Sequence, residues 1–270
     1  MTLAIHELER IDTRVLGALR CVDATTRGAV DGLLQVRIEG ARVRRNRSGL
    51  FVITQADALA GHEAAFEVPP AMPAIGSVAL TASVSDPAGR YLPRIAALAL
   101  PRDPSPESAD AAASLFRPIE VAMYPSSSAP VGANWAVLRA SVHDSGSGDA
   151  LGGALLIARS GATVLARGLS DWRGEALVPV PGVPVTTWSE GDGGAVVATE
   201  TAITLELVFD PAAGLRTRAD AVRDGRVPAA LPRVDPDRIE AQRAALPNAQ
   251  AELQIAAGRS QSVSFSLALP

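Results

Sequence analysis

The chain contains no lysine: every one of its 25 Lys and Arg residues is arginine. A Schiff-base lysine, a phosphate-loop lysine and a Lys–Asn isopeptide crosslink each require an amine, so those chemistries are excluded. The bias itself fits a GC-rich bacterial genome. Cys21 is the only cysteine, which rules out an intrachain disulfide, and its apolar surroundings in "ALRCVD" predict a buried thiol. Aromatics make up 4% of the 270 residues, whereas 20 prolines and 23 glycines punctuate a chain that is 47% hydrophobic. That mix favours short strands and many turns over long helices. The start, "MTLAIHELERIDTRVLGAL", lacks an apolar run of signal-peptide or membrane-spanning length. The expectation is cytoplasmic synthesis without a signal peptide or membrane insertion, with release as part of a particle left open.

Positive charge is also short. A net charge of −4 and a pI near 5.5 provide no overall attraction to nucleic acid or an anionic membrane. The local exception is "ARVRRNRSG", where Arg42, Arg44, Arg45 and Arg47 could meet phosphate or an acidic partner. Alternation within a strand-like stretch more commonly marks a solvated face or a charged sheet edge.

What the sequence does have is an internal repeat. "LRCVDATTRGAVDGLLQVRI" parallels "LRASVHDSGSGDALGGALLIA": an apolar strand, an Asp, a turn of small residues and a second apolar strand. "RNRSGLFVI" then aligns with "SDWRGEALVPV", and "LTASVSDPAGRYLP" with "LELVFDPAAGLRT". The offsets are 121 from Asp23 to Asp144, 125 from Gly49 to Gly174 and 124 from Pro87 to Pro211, differences that one short loop absorbs. The expected fold is therefore all-β: two tandem antiparallel β-sandwiches of immunoglobulin or transthyretin type, with a C-terminal extension ending in a strand. The expected boundaries are an N-terminal arm (1–14), domain 1 (15–103), a Pro-, Ser- and acid-rich linker (104–114), domain 2 (115–214) and the extension (215–270). Within the extension, "DPDRIEAQRAALPNA" offers a short helix stopped by Pro247. In "QSVSFSLAL", Val263, Phe265, Leu267 and Leu269 alternate as in a half-buried strand. Such a strand needs a sheet, either in its own chain or in a neighbour.

No chemical motif stands out. His6, His62 and His143 are far apart, and Asp144, beside His143, reads as a turn-opening residue because Asp23 occupies the matching place. The serines of "YPSSSAP" and "DSGSGD" lack the strand–elbow–helix setting of a hydrolase nucleophile, and "DSGSGDALGG" sits in a hairpin rather than before a helix. No cofactor or metal is expected, and the protein reads as a non-enzyme. Trp135, Trp172, Trp188 and Tyr124 fall in the expected second domain and would be the platform of a carbohydrate site. Alternation instead places Trp135 in the core with Val137, leaving Trp172 as the tryptophan with a clear reason to be exposed.

The run from Ser141 to Val183 resembles the carboxypeptidase regulatory-like, or transthyretin-like, β-sandwich. The residues that carry the likeness are Ser170, Asp171, Gly174, Val178, Val180, Pro181 and Gly182. The resemblance covers about forty residues and implies a noncatalytic folding, anchoring or binding module. The tandem with arms at both ends also resembles accessory structural proteins of phage-tail and contractile injection particles. It implies a structural subunit whose partners are other subunits or copies of itself, with a carbohydrate- or surface-binding adhesion module as the alternative. Candidate partner contacts are Trp172, Arg173, Trp188, Arg44, Arg45 and Phe265.

Overall fold

The structure is a computed structural model and describes residues 13–65, 68–184 and 200–269. It is mostly β, with 45% of the described residues in strands and 10% in helices. In chain order the elements are β1 (Gly17–Asp23), β2 (Gln35–Ile38), β3 (Ala41–Arg45), β4 (Phe51–Ala56), α1 (Ala60–Ala64), β5 (Val78–Ser85), β6 (Arg94–Leu100) and β7 (Ile119–Met123). There follow β8 (Ala136–Asp144), β9 (Ala150–Gly152), β10 (Leu155–Ser160), β11 (Thr163–Leu169), β12 (Glu175–Val180), β13 (Thr201–Val208), β14 (Leu215–Thr217), α2 (Ala219–Arg223), α3 (Pro236–Ala241), β15 (Asn248–Ile255) and β16 (Ser260–Leu267). Among the described residues four sheets result, ordered β3-β4-β1-β7, β2-β5-β6, β11-β10-β13-β15 and β12-β8-β9-β14, with β16 added to β8.

The residues group into two compact units. The first takes the described residues of Met1–Arg20 together with Arg37–Ala82 and Ala97–Glu120; the second takes Cys21–Val36, Ser83–Ala96 and the described residues from Val121 onward. Residues 21–36 and 83–96, which the sequence assigns to domain 1, thus group with the second unit.

The second unit contains a sandwich whose core follows from period-two alternation. Leu138, Ala140 and Val142 of β8 point inward, while Arg139, Ser141 and His143 are more exposed. Val178 and Val180 of β12 join them, facing Leu156, Ala158, Ile203, Leu205 and Leu207 from the opposite sheet. The tail strand β16 pairs in parallel with β8, from Ser260 opposite Val137 to Leu267 opposite Asp144. It therefore completes a sheet of its own chain, and β15 pairs with β13 in the other sheet. The 215–270 segment is in this respect part of the sandwich.

Strand β10 is buried on both faces, because its Leu155 and Ile157 enter a second cluster with Tyr124, Leu169, Val208, Val234 and Ile239 of α3. Helix α3 begins where Asp235 caps the backbone N–H groups of Asp237 and Arg238 and Pro236 fills the first turn. Beside it lies Arg94, with no exposed surface. Its Nη1 donates to Ala122 O at 2.9 Å, its Nη2 to Asp237 Oδ2 at 2.7 Å and Asp235 Oδ1 at 3.4 Å, and its guanidinium stands 5.9 Å from the Tyr124 ring centre.

The matched sequence landmarks occupy matching turns. Asp23 N donates to Gly28 O and Arg27 N to Asp23 O; 121 residues on, Asp144 N donates to Asp149 O and Gly148 N to Asp144 O. Arg27 takes φ 62° where the second copy has Gly148 at 74°. Strand pairing keeps its register as well, with Leu19 opposite Phe51 and Ala140 opposite Ala176.

Candidate functional site

The opening of the second unit that gathers the most sequence landmarks is a cleft of about 860 Å³. Four turns and one proline-punctuated segment line it: 85–93, 126–128, 171–173, 213–215 and 227–233. The Asp171 turn is built by its own side chain. Oδ1 accepts from the N–H groups of Arg173 at 2.8 Å and Glu175 at 3.1 Å, while Gly174 closes the turn at φ 76°. Oδ2 accepts from Arg173 Nη2 at 2.7 Å, Arg173 Nε at 3.1 Å and Ser127 Oγ at 3.1 Å. Asn46 does the same work in the first repeat, accepting from Leu50 N at 2.9 Å, with Gly49 at φ 78°.

Two other polar groups of the cleft, Asp86 and Tyr91, are likewise engaged. Asp86 accepts from the N–H groups of Ala88, Arg90 and Tyr91. The Tyr91 hydroxyl donates to Asp23 Oδ2 at 2.9 Å, and burial together with that carboxylate pushes its pKa up to about 12. Ser170, just behind the turn, is 2% exposed and bonds both Leu151 O and Ala154 N, so it carries structure. Burial and the nearby Asp171 charge raise the Glu175 carboxyl above its ordinary range.

Much of what the cleft leaves open is apolar, with Arg233 and Arg173 exposed among the apolar side chains. Val227 is 64% and Leu231 40% exposed, and both line it together with Trp172, Leu92, Pro93 and Pro232. Trp172 is half-buried rather than fully exposed at the turn tip: it lines the cleft wall, and the Arg173 guanidinium stands 5.9 Å from its ring centre. The pair is held from behind, since a Cβ on Gly152 would lie 2.8 Å from Asp171 O and 3.1 Å from Trp172 Cα.

The remaining candidates are scattered. Arg44 and Arg45 are exposed on β3, the edge of its sheet, with Arg45 positioned 5.6 Å from the Phe51 ring centre. Phe265 corrects the expectation of a partner contact: it is 4% exposed and lies in the core of its own sandwich, because β16 pairs with β8. Trp188 and His6 lie outside the described residues. Trp135 is half-buried instead of lying in the core, since it precedes β8 and rests against Gly132. Ser147 donates its hydroxyl and N–H to Asp144 Oδ2. Among the described residues no cluster of three His, Cys, Asp or Glu is placed to hold a metal. The sequence reading missed Val227 and Leu231; their signal was the apolar, proline-flanked run "VPAALP" between charged residues.

No protein-family model matches the chain, and no curated protein matches it significantly.

Proposed function

We propose that the protein is a noncatalytic structural subunit of a phage-tail-like or contractile injection particle. It uses β-sandwiches of carboxypeptidase regulatory-like type to hold neighbouring subunits. The observation that supports this reading is the cleft beside the Asp171 turn, where exposed Val227 and Leu231 accompany Trp172 and the lining carboxylates are spent on their own turns. Such a surface suits the dry centre of a protein interface, in which an aromatic anchor and aliphatic side chains supply the binding energy. A glycan suits it less, because Arg173 already occupies space over the Trp172 ring that sugar stacking would need.

The test is co-sedimentation with particles from the source cells, for the wild-type chain and for Leu231→Asp. The wild type should pellet with sheath or tube proteins, and the variant should remain in the supernatant with unchanged circular dichroism. A wild-type protein that never enters the particle fraction refutes the reading.

A further inference from the structure

The first unit holds a separate groove of about 640 Å³, within the size range of small-molecule sites. Its walls are apolar and rich in proline, including Leu16, Pro70, Pro73, Ile75, Pro101 and Leu115. Two polar groups on its lining have unmet needs. His62 is 4% exposed, yet among the described residues its Nδ1 has no hydrogen-bond partner. A buried polar atom left so destabilises the fold, a cost that a bound ligand would remove.

Arg102 is the second. Its Nε and Nη2 donate only to neutral carbonyls: Ser114 O at 3.2 and 3.0 Å, Ala112 O at 2.6 Å and Arg117 O at 3.3 Å. It makes no ion pair with a carboxylate among the described residues. Burial and the like charge of Arg117 both lower its pKa, so the cation is under-compensated where it stands. An anion would relieve both the desolvation and the repulsion.

We infer that this groove binds an apolar carboxylic acid, with the alkyl or aryl body against the proline walls and the carboxylate meeting His62 and Arg102. Apolar burial supplies most of the affinity and the two polar groups supply selectivity for the charged head.

Calorimetric titration of the full chain with decanoate, and with methyl decanoate as the uncharged counterpart, tests this. Decanoate should bind one per chain and at least tenfold more tightly than the ester. Ala74→Trp, at an exposed position on the lining, should abolish binding while leaving the circular dichroism unchanged. His62→Leu should weaken decanoate at least fivefold and raise the melting temperature, because the unmet Nδ1 is gone. A folded wild type that does not bind decanoate, equal affinity for acid and ester, or binding indifferent to both substitutions overturns the proposal.

Discussion

Gly49 and Gly174 are equivalent in sequence, but the structure predicts different tolerance to Gly→Ala. Both take left-handed φ angles, 78° and 76°, which cost a non-glycine residue about 1–2 kcal/mol. At Gly174 an added Cβ would also lie 3.4 Å from Ala150 Cβ and collide with the Val142 carbonyl oxygen. That carbonyl cannot easily retreat, because Val142 N donates to Gly174 O at 2.9 Å and ties the two backbones together. Overpacking of this kind adds about 1–3 kcal/mol. Among the described residues, the one atom near an added Cβ at Gly49 is the far end of the exposed Arg45 side chain, Nη2 at 3.9 Å, and at Gly182, φ 74°, none lies within 4 Å. Urea unfolding followed by circular dichroism should therefore show Gly174→Ala losing about 2–5 kcal/mol in total. Gly49→Ala and Gly182→Ala should each lose about 1–2 kcal/mol. Because Gly182 shares a unit with Gly174, equal losses at those two positions would refute the steric argument.

Arg94→Ala should cost about 3–5 kcal/mol in the same assay, chiefly because it takes the buried guanidinium from nearly buried Asp235 and from Ala122 O; a loss below about 1 kcal/mol would mean the pair is solvated. The chain has two tyrosines, Tyr91 and Tyr124, each pushed to about 12 chiefly by burial. Ultraviolet titration of native protein should therefore show no tyrosinate until well above pH 10, whereas in urea both should ionise near 10. Their folded pKa values exceed the unfolded ones, so the stability they contribute is complete below about pH 10 and is lost as pH rises toward 12. Glu175→Gln should raise the melting temperature at pH 7 but not at pH 3: the raised carboxyl pKa means that ionised Glu175 opposes folding, and the opposition disappears once it is protonated in both states. An equal effect at both pH values would point to packing instead.

The turns were the most legible part of the fold because their chemistry is local. Asp144 caps Ser147, Asp171 caps Arg173 and Glu175, and Gly174 takes the left-handed angle, as residue type and spacing suggest. The alternation of Val263, Phe265 and Leu267 showed that a strand was there. It could not show which strand it joins, because β8 lies some 120 residues away and carries no complementary local signal. Arg94 carries no local signal of its role. Its partners, Asp235 and Asp237, are 141 and 143 residues away, and only the assembled unit brings them together. The cleft was legible in part: the Asp171 turn stood out, whereas Leu231 belonged to a segment that reads as an extended, proline-punctuated connection.

The claim that the Trp172–Leu231 cleft is a subunit interface is tested most directly by site-specific photocrosslinking from position 231 within assembled particles, with exposed Gly182 as the control position. Position 231 should give a covalent adduct to another particle subunit, lost when Trp172 is also changed to Ala. A particle that incorporates the protein but yields intermolecular adducts only from position 182 would contradict it.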